Sequence, residues 1–377
     1  MEKSQFTILS PLRDSGNWFV LNLLSGEADI LEPELAEQFR TNSLVDETPF
    51  IEKGYLMEPE EEKKLYNEKY LDFMDRQEQA EVQVFYVPTY QCNFACPYCY
   101  QEGYQNPAPS DQKEIIDRFF SYLDRKMQGR PFYITLFGGE PLLPDAVTRR
   151  NIEYFLDRTD ERNLSLAVVT NGYTLEQYLP RLSQSSLREI QITLDGPPAL
   201  HDKRRPLKGG QGTFDRIADN IGLCLDRNIP VNLRVVLDRQ NMEGLSSLAE
   251  YAKKRGWTSS PDFKTQLGRN YELHTCQADR GRLYSRVEMY EDLYRLLREN
   301  PAVADFHKPS FSISRFLLEN GELPQPLFDS CPAAKTEWAF DFTGKIYPCT
   351  AMVGKTGEDL GTFYPEIAVD EQRCELW

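Results

Sequence analysis

Three cysteines fall within eight residues, in the run Cys92-Asn-Phe-Ala-Cys96-Pro-Tyr-Cys99, a C-x3-C-x2-C spacing. Thiolates are the preferred protein ligands of iron–sulfur clusters, and a compact loop can set three of them on one cuboidal [4Fe–4S] cluster. The fourth iron then keeps an open position, where a ligand can bind and be activated. The same residues could form a structural zinc site or remain buried thiols. Zinc asks for a fourth ligand near by, and the nearest histidine, His201, is distant in sequence. The remaining cysteines are Cys224, Cys276, Cys331, Cys349 and Cys374, all but the first in the last third of the chain. Cys224 sits among apolar residues of a helical segment and reads as core.

The elements that must hold this loop follow a clear rhythm. From Val82 onward, strand-like runs over 82–89, 132–137, 165–170, 189–194, 231–237 and 263–267 alternate with helical segments over 111–126, 145–156, 175–182, 213–227 and 244–255. Such alternation predicts a parallel sheet covered by helices. With no dinucleotide glycine fingerprint, it suits an α/β fold built as a partial (β/α)6 TIM-like barrel better than a two-faced sheet, although pattern alone separates the two poorly. Loop-forming residues stand at four consecutive strand ends: Tyr90-Gln91-Cys92, Gly138-Gly139-Glu140-Pro141, Asn171-Gly172 and Asp195-Gly196-Pro197-Pro198. In barrels of this kind chemistry gathers at the carboxyl ends of the strands.

The cysteine run, with Tyr98 before its last cysteine, resembles the signature of the radical S-adenosylmethionine superfamily. Gly138-Gly139-Glu140-Pro141 resembles that family's GGEP motif, which implies that its backbone and the Glu140 carboxylate face the ammonium of the cofactor. By the same resemblance Thr193 offers a strand-end hydroxyl to the cofactor and Arg205 contacts its carboxylate, where a solvated basic turn is the plainer alternative. Tyr98, Gly138, Gly139, Glu140, Thr193 and Arg205 are thus the expected cofactor-binding residues, with Cys92, Cys96 and Cys99 on the cluster. Asn171 and Arg234 stand at or near strand ends as pocket candidates, and Leu267 is expected against the adenine. The resemblance implies reductive cleavage of S-adenosylmethionine to a 5′-deoxyadenosyl radical that abstracts hydrogen from a substrate. The electron would come from a donor such as flavodoxin or ferredoxin.

Cys331 and Cys349 bracket a hairpin expected across Thr343-Gly344. This resembles the opening of a SPASM domain, the auxiliary-cluster extension of peptide-modifying radical enzymes. The further ligands of that domain are missing, so Cys374 is the candidate third ligand, with Cys276 as its competitor, for one or more auxiliary clusters. The expected organisation is a small α+β unit over 1–58, a linker helix over 59–81, the barrel over 82–268, a helical connector over 269–326 and a partial SPASM/twitch-like region over 327–377. Within the first unit, strands at 5–9 and 18–23, a helix at 32–40 and a return strand at 50–57 are expected. That unit is either a leader-peptide module, pairing a peptide with a strand edge, or a cap on the barrel.

The branch implied is maturation of a ribosomally made peptide or protein. Sulfatase maturation, forming formylglycine, competes; that branch places an aspartate after the second auxiliary cysteine, where Thr350 stands here. A non-catalytic iron–sulfur or zinc protein would leave the GGEP, Thr193 and Arg205 matches unexplained. Composition narrows the partners: 59 acidic against 43 basic residues give a net charge of −16, which disfavours nucleic acid. No signal peptide or membrane span is legible, so a cytoplasmic location is expected, with its cysteines as metal ligands or buried thiols instead of disulfides.

Overall fold

A computed structural model describes residues 1–101, 104, 110–270, 281–307, 320–321 and 323–377. Its contacts divide the chain into two units. One contains Met1–Gln79 and the described part of Pro309–Cys331; the other contains Ala80–Lys308, as described, and Pro332–Trp377.

In the first unit, strands β2 (Thr7–Pro11), β3 (Trp18–Asn22) and β4 (Ala28–Leu31) form an antiparallel sheet in that order. Short strands β1 (Glu2–Lys3) and β5 (Leu56–Met57) pair separately. Val20, Leu31, Phe39, Phe50 and Tyr55 make the core. The return strand expected from residue 50 shrinks to β5, because Pro49 starts a short helix, Thr48–Glu52, at the position where a missing N–H is harmless. Asn22 holds the unit's turns together. Its amide donates to Ser4, Thr7 and the Gly54 carbonyl, while its oxygen accepts from the N–H groups of Leu24 and Ser25. The helix expected as a linker, Pro59–Gln79, belongs to this unit, where Tyr66, Tyr70 and Phe73 pack on Phe328.

The second unit contains six consecutive parallel strands: β6 (Val82–Val87), β7 (Phe132–Leu136), β8 (Leu166–Thr170), β9 (Leu187–Thr193), β10 (Val231–Leu237) and β11 (Phe263–Arg269). They neighbour one another in sequence order, without reversal. Crossovers between parallel strands are right-handed, so a steady order puts every covering helix on the same face. That separates the partial barrel from a two-faced sheet.

Alternation along the strands follows from this. Val82, Val84 and Tyr86, Ile134 and Leu136, Ile190 and Ile192, and Val231, Leu233 and Val235 face the helices and form the main core. The opposite face carries Gln83, Thr135, Glu189, Gln191, Asn232, Arg234 and Gln266, and it lines interior space instead of a core. Leu267 falls on the core face, packed under the helices, so it is not placed against a cofactor.

The hairpin expected near the C-terminus is present as β12 (Glu337–Asp341) and β13 (Lys345–Tyr347). It is continuous with the barrel, because β12 pairs in parallel with β6 from Glu337↔Gln83 to Asp341↔Val87. Strands β14 (Gly361–Thr362) and β15 (Ala368–Val369) extend the sheet further. Within the helical connector expected over 269–326, a helix runs over Arg286–Glu299, and Ser285 and Glu288 form a capping box at its start. Residues 271–280 and 308–319 of that connector, Cys276 among them, lie outside the described residues.

Candidate active site

Gly138 and Gly139 follow β7 and lie against the loop that follows β6. The Gly139 N–H donates to the Thr89 carbonyl and the Glu140 N–H to that of Gln91. A Cβ at Gly139 would sit 2.2 Å from the Gln91 oxygen, and one at Gly138, with φ of +133°, 2.6 Å from that of Thr89. Two glycines are therefore required for the second strand end to grip the loop that leads into Cys92.

The cysteine loop is held from the other side as well. Ala95 N–H donates to the Pro206 carbonyl and Lys208 N–H to that of Asn93, which brings Arg205 beside the thiols. Cys92, Cys96, Cys99, Tyr98, Gly138, Gly139, Asn171, Thr193 and Arg205 all line one cavity of about 440 Å³.

Glu140 stands behind the wall of this cavity. It is fully buried, and its carboxylate accepts from the Thr170 hydroxyl at 2.6 Å, the Asn171 N–H at 2.6 Å and the Leu142 N–H at 2.9 Å. Burial raises its pKa, and the three hydrogen bonds oppose that rise. The side chain thus ties the ends of β7 and β8 together. Asn171 carries the link onward, donating to Asn93 Oδ1 at 2.7 Å in the cysteine loop.

A second buried network supports Tyr98 and Arg205. Tyr98 donates its hydroxyl to Asp195 and accepts from Arg205 Nη1 at 2.7 Å. Arg204 pairs with Asp195 at 3.3 Å and Asp238 at 3.0 Å, with its side chain 6% exposed and both carboxylates at 0%. His201 Nδ1 accepts the Asp195 N–H, so Nε2 carries the proton that faces Thr213 Oγ1 at 3.0 Å. Burial, aided by Arg205, drives the His201 pKa down to about 3 and keeps the ring neutral. Composition and motif spacing had not singled out Arg204 or His201. Their one signal was the dense basic run His201-Asp-Lys-Arg-Arg205, lying in the unexpected helix Pro198–Arg204 and just beyond it.

The residues fit the groups that the motifs imply. Burial pushes the Cys92 thiol up to about 12, with the Glu140 charge adding to the effect; burial also raises Cys96, against the opposing charge of Arg205. Such thiols stay protonated until a metal displaces the proton. Arg205 Nε is buried and has no hydrogen-bond partner among the described residues, so an anionic group in the cavity would satisfy it. Three thiols round a cavity suit the separate corners of a cuboidal cluster, whereas one zinc ion needs ligands on one point. Among the described residues no three Cys, His, Asp or Glu side chains converge in that way.

Cys331 is exposed and belongs to the first unit, while Cys349 and Cys374 belong to the second. Cys374 lies in the helix Glu371–Glu375, against the main core. Cys224 is fully buried, as its neighbours implied.

Residues 86–252 match the model of the Radical SAM superfamily. The likeness implies a [4Fe–4S] cluster and S-adenosylmethionine as cofactors. The chain spans about half the length of the curated relatives it matches. GTP 3′,8-cyclase of Campylobacter jejuni (strain RM1221) is 27% identical over 170 residues, 44% of this chain and 51% of the relative. That of Nautilia profundicola is 27% identical over 177 residues, 45% and 52% of the two. Among solved structures, native anSMEcpe with bound AdoMet and Cp18Cys peptide superposes with a TM-score of 0.57 at 17% identity, covering 78% of this chain and 80% of the other. Streptococcus suis SuiB bound to precursor peptide SuiA gives 0.56 at 12% identity, covering 100% and 88%. At such identities the likeness is one of fold.

Proposed function

We propose that this protein reductively cleaves S-adenosylmethionine and abstracts hydrogen from a peptide or protein substrate, as a peptide maturase. The observation that carries the reading is the single cavity lined by Cys92, Cys96 and Cys99 on one side and by Gly138, Gly139, Thr193 and Arg205 on the other. Cys92, Cys96 and Cys99 would hold the cluster, which when bound supplies the electron for cleavage of the sulfonium. Arg205 offers its unpartnered Nε to the cofactor carboxylate, and Tyr98 and Asp195 keep the guanidinium in place. The strand-end hydroxyl of Thr193 and the glycine backbone orient the rest of the cofactor. Glu140 is a positioning residue, fixing two strand ends from behind.

Peptide as substrate is supported by the fold shared with anSMEcpe and SuiB, whose structures hold peptides, over most of the chain. The small sheet of the first unit leaves β2 and β4 as edges, and strand addition there would suit a leader peptide. Thr350 stands where the sulfatase-maturing pattern has aspartate, and it lines the cavity with its hydroxyl on Glu337 at 3.1 Å. A second reading, chemistry on a nucleotide, is favoured by the curated relatives.

Anaerobically reconstituted protein with dithionite and S-adenosylmethionine should release 5′-deoxyadenosine, and Cys92→Ala should abolish the release. Zinc uptake without iron would overturn the reading. Mass spectrometry after incubation with a short peptide encoded beside the gene should show a changed peptide, while GTP should be recovered intact.

A further inference from the structure

A second space of about 690 Å³ lies inside the barrel, lined by the inward faces of β6 to β11. It shares Phe137, Val169, Gln191, Arg234 and Thr350 with the first cavity, so these residues form the ring where the two meet.

The charges of this inner chamber nearly cancel. Arg188 gives its guanidinium to Glu81 at 2.7 and 3.0 Å. Lys264 pairs with Glu189. Arg234 remains. Among the described residues no carboxylate pairs with it, and its buried Nε has no hydrogen-bond partner. The guanidinium lies beside Gly268, 3.6 Å from where a Cβ would stand, and the absent side chain gives it room. Two residues earlier on the same strand face, Asn232 is 7% exposed, and its buried Oδ1 also has no partner. Its amide nitrogen is occupied by Glu189 at 3.0 Å.

An unmatched cation and an unmatched acceptor on one strand face, beside a cavity, ask for a ligand carrying one negative group and an N–H. We propose that Arg234 binds a substrate carboxylate where the two cavities meet, while Asn232 Oδ1 takes an N–H of the same peptide. The inference rests on the peptide reading and names what the peptide must carry: an acidic side chain or a free C-terminus. A polyphosphate fits less well, because its several charges would face a single unmatched cation. Guanidinium and carboxylate form charge-assisted, often bidentate bonds, which give both strength and direction.

The test is a binding measurement on the reconstituted full chain with S-adenosylmethionine, by ligand-observed NMR. The probes are Ac-Ala-Glu-Ala-NH2, Ac-Ala-Gln-Ala with a free C-terminus, and neutral Ac-Ala-Gln-Ala-NH2, with GTP as a fourth. The wild type should bind one of the carboxylate peptides about tenfold more tightly than the neutral one. Which of the two is preferred tells side chain from C-terminus. Arg234→Gln should erase the preference, and Arg234→Lys should restore part of it. Equal binding of charged and neutral peptides by the wild type, including no binding of either, overturns the proposal even if Arg234→Gln fails to fold. So does a preference that survives in Arg234→Gln, or tighter binding of GTP than of either carboxylate peptide. Release of 5′-deoxyadenosine by the wild type without peptide reports separately on the cofactor reading, so the two can fail independently.

Discussion

The two cavities of the barrel are built in opposite ways. The one at the carboxyl ends of the strands is made of loops, and it leaves Arg205 Nε and Gln101 Nε2 open, but the carboxylates behind it are spoken for: Glu140 has three partners, Asp195 and Asp238 share Arg204, and Tyr98 bridges Arg205 to Asp195. The inner chamber is made of side chains on regular strands, and it leaves Arg234 Nε and Asn232 Oδ1 without partners. On the proposed reading the first cavity holds a cofactor, and such a site gains from a wall locked by buried hydrogen bonds. The chamber is proposed to meet substrate, which needs polar groups still open to bond it.

Breaking the locked wall should therefore cost much more than altering the chamber. The largest effect is expected from Arg204→Met, which leaves the carboxylates of Asp195 and Asp238 buried without their shared cation. Stability should fall by about 3–5 kcal/mol in urea denaturation. Next comes Gly139→Ala, which forces a Cβ into the Gln91 and Tyr90 carbonyls. Backbone cannot turn aside as a flexible side chain can, so a loss of about 3 kcal/mol is expected, together with reduced iron content after reconstitution. Glu140→Gln should lose about 2 kcal/mol, because an amide NH2 must then face one of the donors from Thr170, Asn171 or Leu142. A loss below about 0.5 kcal/mol in all three would remove the contrast between the cavities.

The locked wall was partly legible in the sequence. Cys92–Cys99 and Gly138–Glu140 stand out because cysteine spacing and adjacent glycines are rare patterns that loop geometry demands. Their partners were harder to read. Asn93, Arg204 and His201 are ordinary residue types, and their roles arise from pairings across long sequence separations, such as Asn171 to Asn93 and Arg204 to Asp238. Glu140 was legible as important, but its direction was not, since a motif does not say which side of a wall a side chain takes. The strands of the barrel were visible from alternation with helices. The parallel pairing of β12 with β6 was not, because nothing local couples segments about 250 residues apart. The chamber was nearly invisible: Gln83, Asn232 and Gln266 read as the polar half of alternating strands until the topology put them on one inner face.

Acid sharpens the comparison at the next scale. His201 supports the locked wall as a neutral ring, with a pKa near 3 against the ordinary 6.5. Unfolding exposes it, and the unfolded ring takes a proton below about pH 6.5 while the folded one does not. Stability is thus unaffected above that pH and falls as pH drops toward 3, where the loss saturates. The slope from this residue is about 1.4 kcal/mol per pH unit between roughly pH 6 and 4. His307, which burial lowers to about 4, adds to it in the same direction. His201→Gln should flatten the wild-type slope by about that amount, measured as urea stability against pH. An unchanged slope would mean that the ring titrates in the folded protein.

The smallest expected effect compares two glycines, one for each cavity. Gly139 cannot accept a methyl group, because backbone carbonyls occupy the space. At Gly268 the nearest atoms to a Cβ are Arg234 Nε and Nη2 at 3.6 Å, ordinary van der Waals contact with the end of a flexible side chain. Gly268→Ala should therefore change stability by less than about 0.5 kcal/mol, against about 3 kcal/mol for Gly139→Ala. The added methyl would still press on the guanidinium from one side, so a carboxylate peptide should lose more affinity than a neutral one. A stability loss at Gly268 equal to that at Gly139 would show that the chamber wall is as tightly determined as the wall behind the cysteine loop, and the proposed division of labour between the cavities would fall with it.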